Sequence, residues 1–123
     1  MQGTKIFTSL LIGNKDLKVY PSAFENTNMS NIESYQLGKI IITGPNTFKN
    51  TPYKLNVSRL KIDSNCTNIS STFSNELGTG NITLLSAKMF IDNVQNIEQI
   101  TKIDYLFYGQ SKIDTTNFLL NSS

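Results

Sequence analysis

The chain has 123 residues, which suits one domain of ordinary size. Charged residues make up only 16% of it, and 15 Asn, 13 Ser and 13 Thr supply most of the polar surface. The net charge of +2 is too small to indicate a strong electrostatic field, and the single cysteine, Cys66, excludes an internal disulfide.

The N-terminal half has the alternating, β-branched composition that is typical of strands. A Gly13-Asn14 dipeptide between the first two strands predicts a hairpin turn, because glycine supplies the positive φ of such turns. The segment 22–36 is polar and predicts a loop with one short helical turn. Three consecutive isoleucines in the third strand predict a central strand covered on both faces. The strands predicted in this half are 5–12, 16–20, 38–43 and 53–63.

The C-terminal half predicts further strands around a long polar loop, 64–80. The apolar alternation changes phase within 53–63 and again within 81–91, which predicts a β-bulge in each strand. The segment 92–99 is compatible with a helical turn or a wide connection. In 102–108 the side chains of Ile103, Tyr105 and Phe107 alternate with polar ones, and 113–120 is the last predicted strand.

Taken together, these elements predict a single β-rich domain over residues 1–123. The expected fold is all-β, or β-rich α+β, as an antiparallel sandwich or barrel of about six to eight strands with bulges and at most short helical turns. No internal repeat of fixed period is evident, and no stretch reaches the roughly 18 apolar residues that a membrane span needs.

The residues that perform the common catalytic chemistries are missing. Histidine is absent, which removes the usual nucleophile systems, histidine general bases and most zinc sites. Cys66 has no charged neighbour in sequence to activate its thiol. Asp63-Ser64-Asn65 opens like a calcium loop but lacks the glycine and the closing glutamate of that motif. The sequence therefore predicts a protein that is not an enzyme and has no cofactor, catalytic residue or metal site.

What remains is a set of binding and assembly roles. The abundance of Lys, Ile and Asn indicates an A+T-rich genome, and the expected function is a structural or assembly protein of a virus or phage. Such a capsid accessory, decoration, tail or collar protein would localise to the virion, assembled in the host cytoplasm. Its expected partners are copies of itself or a capsid or tail protein, with no specific nucleic acid, membrane or small-molecule substrate. The predicted partner-binding residues are Phe73, Leu77, Phe118, Leu119 and Leu120.

Two alternatives stay open at this point. One is an OB-like domain that binds single-stranded nucleic acid, with Tyr105 and Phe107 as base-stacking residues. The other is a small receptor- or carbohydrate-binding β-sandwich of a fibre or adhesin. A cytoplasmic location is the alternative to the virion.

Overall fold

A computed structural model describes residues 15–28 and 38–113 of the chain. Within them, three short strands form one parallel sheet in the order β1-β2-β3. These strands are β1 (Leu17–Val19), β2 (Ile40–Ile42) and β3 (Leu60–Ile62). A 3-10 helix (Val57–Arg59) leads directly into β3, and one α-helix, α1 (Leu84–Val94), follows later in the chain.

The architecture is a short solenoid, in which similar six-residue turns stack on one another. We call these segments turn 1 (21–26), turn 2 (45–50), turn 3 (70–75) and turn 4 (104–109). At the fourth position of turns 1 to 3, the backbone N–H donates to the carbonyl oxygen of the third residue in the following turn. These bonds join Phe24 to Thr47 at 2.9 Å, Phe48 to Thr72 at 3.0 Å, and Phe73 to Leu106 at 3.0 Å.

The fourth position always holds a phenylalanine, and these rings form the centre of the core. Phe24 and Phe48 stack at a centroid distance of 5.5 Å, Phe48 and Phe73 at 5.7 Å, and Phe73 and Phe107 at 5.4 Å. Each of the four rings is at most 2% exposed. Because parallel rungs bring equivalent residues side by side, one buried aromatic per turn builds a continuous column.

The backbone of the turns repeats as closely as the side chains. The second position has a left-handed φ in all four turns: 64° at Ser22, 62° at Asn46, 59° at Ser71 and 58° at Tyr105. The sixth position is left-handed in three of them, with φ of 79° at Gly109. A Cβ at Gly109 would lie 1.8 Å from the Asn75 carbonyl oxygen, so only glycine fits where turn 4 meets turn 3.

Helix α1 lies in the longer connection between turns 3 and 4. Thr83 caps its N-terminus by accepting a hydrogen bond from the Ser86 N–H at 3.2 Å. Phe90 sits edge-on to Phe73 at 5.1 Å and to Phe107 at 6.2 Å. The buried Gln110 side chain ties the start of the helix to turn 3. It accepts from the Ile82 N–H at 2.9 Å and donates to the Phe73 carbonyl at 2.6 Å.

The predicted antiparallel sandwich or barrel is wrong, because the described residues form one small parallel sheet and a stack of turns. In a solenoid successive strands run in the same direction, and each is joined to the next by a connection of about 20 residues instead of a hairpin turn. The sequence has no repeat of fixed period, but four similar turns recur in the structure at unequal intervals. The central position of the three-isoleucine strand is confirmed, although Ile41 is only half-buried while Ile40 and Ile42 point into the core.

Several predicted strands are also corrected. Residues 81–91 contain most of α1 instead of a bulged strand. Residues 102–108 hold one isolated bridge at Lys102, followed by turn 4. Only Leu60–Ile62 of the predicted 53–63 strand is paired, and the predicted 64–80 loop contains turn 3. The predicted strands 5–12 and 113–120 and the Gly13-Asn14 turn lie wholly or almost wholly outside the described residues.

Candidate functional site

At their second and fifth positions, turns 1 to 3 carry small polar or charged side chains, and turn 4 departs from that pattern. The second position holds Ser22, Asn46 and Ser71 in turns 1 to 3, and it holds Tyr105 in turn 4. At the fifth position, Glu25, Lys49 and Ser74 are followed by Tyr108. Tyr105 is 69% exposed and Tyr108 is 54% exposed. The column of stacked turns therefore carries two large aromatic side chains in turn 4, which we call the tyrosine patch.

The two rings of the tyrosine patch contact each other edge-to-face, with centroids 5.9 Å apart and an interplanar angle of 88°. Tyr105 has a φ of 58°, a conformation that costs an ordinary L-residue roughly 1–2 kcal/mol. Asn tolerates this conformation far better, and Asn46 occupies the equivalent position in turn 2. Since the Tyr105 ring is largely in water, its burial does not offset the backbone cost.

Leu77 extends the exposed apolar surface close to turn 4. Its side chain is 86% exposed. Asn75, two residues earlier, donates its N–H to the Tyr108 carbonyl at 2.7 Å, so the bend that carries Leu77 begins where turn 3 meets turn 4.

Side-chain hydrogen bonds hold that bend in place. The Asn75 Oδ1 atom accepts from the Leu77 N–H at 3.1 Å and from the Thr79 N–H at 3.2 Å. Asn50 donates to Glu76 Oε1 at 3.2 Å and accepts from the Glu76 N–H at 2.8 Å. A flexible bend could expose Leu77 by chance, but this one is fixed by four hydrogen bonds.

The predicted partner-binding residues have different positions in the structure. Phe73 is 1% exposed and belongs to the phenylalanine column, so it is not available for a direct contact. Leu77 is exposed beside turn 4. Phe118, Leu119 and Leu120 lie outside the described residues. The predicted stacking pair Tyr105 and Phe107 does not share a surface, because Phe107 points into the core.

The groove at the C-terminal end of the strands is lined by Lys18, Val19, Tyr20, Thr43, Asp63 and Asn65. An ion pair between Lys18 Nζ and Asp63 Oδ1, 3.1 Å apart, crosses it. A hydrogen bond from the Asn65 N–H, together with Lys18, holds the pKa of the Asp63 carboxyl below its ordinary value of 3.8. The acid at the start of the calcium-like motif is thus already paired with a protein cation.

Cys66 and the acidic residues do not form a reactive centre in the described part of the chain. Cys66 is 2% exposed, and burial raises the pKa of its thiol. No group of three or more Cys, Asp or Glu side chains in this part could hold a metal ion. No helix among the described residues is long and apolar enough to cross a membrane.

Comparison of the chain with protein-family models, curated protein sequences and solved structures gives no significant match.

Proposed function

We propose that the chain is a non-catalytic binding and assembly protein that contacts a protein partner through the tyrosine patch and Leu77. The observation that carries the proposal is Tyr105. A bulky residue occupies a left-handed backbone position, and its ring remains largely exposed although it contacts Tyr108. Backbone strain that no internal packing offsets is concentrated at functional positions in proteins.

The surroundings of the patch support a protein partner. Tyrosine is enriched in the buried centres of protein interfaces, because it supplies a large contact area and a hydroxyl with little loss of side-chain entropy. Asp104, the first residue of turn 4, and Lys102 and Lys112 to either side of the turn in sequence are exposed, and charged side chains of this kind are usual at the rim of an interface. Stacked turns joined by backbone hydrogen bonds present this surface rigidly, which lowers the entropic cost of binding.

Binding of single-stranded nucleic acid through base stacking is the competing function. It loses its original basis, since neither an OB-like barrel nor an exposed Phe107 is present in the described part of the chain. Two lysines and one aspartate near the patch supply much less positive charge than the groove that tracks a phosphate backbone. The virion as the place of assembly stays a prediction from composition.

Photo-crosslinking in the source cells or particles tests the proposal. Tyr105 is replaced by p-benzoylphenylalanine, which keeps an aromatic ring at the same position. The matched control carries the same residue at Tyr20, which is 83% exposed on the strand side of the molecule. We expect discrete protein adducts from position 105 that position 20 does not give.

Two results would contradict the proposal. Adducts from position 105 that a nuclease converts back to the mass of the free chain would favour nucleic-acid binding. Equal adducts, or none, from the two positions would mean that the tyrosine patch is not a specific contact surface.

A further inference from the structure

A cavity of about 320 Å³ lies beside β3, away from turn 4. Its apolar lining comes from the end of the sheet and from one side of α1 and the residues after it: Leu60, Ile62, Phe90, Val94 and Ile97. Its polar lining consists of Asp16, Lys39, Lys61 and Asn93. A concave, mostly apolar space with a few polar groups is the usual form of a small-ligand site, and this volume is at the lower end of the range.

The polar part of the lining carries two lysines and one aspartate, which leaves an excess of one positive charge among the lining residues. Asp16 accepts a hydrogen bond from the Lys39 backbone N–H at 2.9 Å. Within the described residues, neither Lys39 nor Lys61 has a carboxylate within 4 Å, whereas Lys18 pairs with Asp63 and Lys49 with Glu76. Both lysines are exposed and free to reach a ligand.

A third cation stands next to the cavity. Arg59 immediately precedes Leu60, and its Nη2 atom is buried without a hydrogen-bond partner in the described part of the protein. Leu60 pairs with Ile40, so Arg59 and Lys39 enter neighbouring strands side by side.

We propose that this cavity binds a small amphipathic carboxylate, of the medium-chain fatty-acid class. The alkyl chain would lie against the half-buried Ile62 and Ile97, and the carboxylate would lie between the ammonium groups of Lys39 and Lys61. An inorganic anion would leave the apolar lining unused, and a neutral alcohol would leave the two lysines unpaired. The site is independent of the tyrosine patch.

Titration with octanoate, followed by amide and methyl NMR shifts of the full chain, tests the proposal. We expect saturable shifts at Phe90, Val94 and Ile97 with a Kd of about 1 mM or tighter, given a ligand of this size. The double variant Lys39→Gln/Lys61→Gln should weaken binding about tenfold. Asp16→Asn keeps the hydrogen-bond acceptor but removes the opposing charge, so it should strengthen binding about twofold.

Lys88→Gln is the matched control, because Lys88 is an exposed lysine of α1 that does not line the cavity. Ile97→Trp should fill the cavity and abolish the shifts while leaving the fold intact, since Ile97 is only partly buried. Equal binding of octanol or inorganic phosphate at the same residues would overturn the proposal. So would octanoate binding that survives the double lysine variant, or that Lys88→Gln weakens as strongly.

Discussion

Replacing Tyr105 with asparagine should make the protein more stable than replacing it with alanine. Both changes remove the edge-to-face contact with Tyr108, so that loss cancels in the comparison. They differ in how well the new residue accepts a φ of 58°. Alanine retains the left-handed cost of roughly 1–2 kcal/mol, whereas asparagine, which stands at the equivalent position in turn 2, avoids most of it. The expected difference in unfolding free energy is about 1 kcal/mol.

Urea denaturation and differential scanning calorimetry of the two variants measure this difference. For a domain of this size, about 1 kcal/mol corresponds to a shift of about 4 °C in Tm. At Tyr20, which does not have a left-handed φ, Asn and Ala should differ by less than about 0.5 kcal/mol. If the Asn and Ala variants of Tyr105 have the same stability, the turn relaxes around the residue and the inference of unrelieved strain fails. If the Asn variant is more stable but binds the partner as tightly as the unchanged protein does, the backbone strain at Tyr105 has no role in partner contact.

Three further predictions concern the core, the strand-end groove and the cysteine. Phe73→Ala should lower the free energy of unfolding by about 3–5 kcal/mol in urea denaturation, because the Phe73 ring packs against rings on both sides. Leu77→Ala should change it by less than about 0.5 kcal/mol, because Leu77 is exposed. Equal effects of the two substitutions would contradict the stacked column. Asp63→Asn should lower Tm at pH 7, and the difference should shrink as the pH falls below about 4. A carboxyl with a depressed pKa stabilises the fold above its unfolded-state pKa and loses that effect when it is protonated. If the difference in Tm between the variant and the unchanged protein is as large at about pH 2.5 as at pH 7, the ion pair is not its origin. Cys66 should react with Ellman's reagent at pH 8 only after unfolding, since the thiol is buried with a raised pKa; rapid reaction of the native protein would place it at the surface.

The repeat was present in the sequence in a form that a search for a fixed period does not detect. Phenylalanine followed two residues later by asparagine occurs at Phe24, Phe48 and Phe73, and Phe107 is followed by Gly109. The intervals between the four phenylalanines are 24, 25 and 34 residues. The last interval is longer because it contains α1, so a search for a constant period does not align turn 4 with the other three turns.

The error over 81–91 has a specific cause. Strand alternation accounts for Leu85, Met89 and Ile91 on one face, but Leu85 and Met89 are exposed. The residues that α1 buries are Ala87, Phe90, Ile91 and Val94, whose spacing of three, one and three is that of a helix face. The exposed side chains of Leu85 and Met89 thus produced the alternation that is typical of a strand. The N-cap residue Thr83 was the local signal that favoured a helix.

The tyrosine patch shows why the candidate site could not be found before the fold. Read as a strand, 102–108 places Tyr105 and Phe107 on one face and Tyr108 on the other. As a turn with a left-handed second residue, it directs Phe107 into the core and leaves Tyr105 and Tyr108 outside. The significance of Tyr105 also depends on alignment with Ser22, Asn46 and Ser71, which is set by hydrogen bonds between rungs and not by a constant spacing. A tyrosine alone at that position is unremarkable. Against three small polar residues with the same φ, it is the turn that places a large, exposed ring at this backbone position, and a partner that buries the ring would compensate the backbone cost.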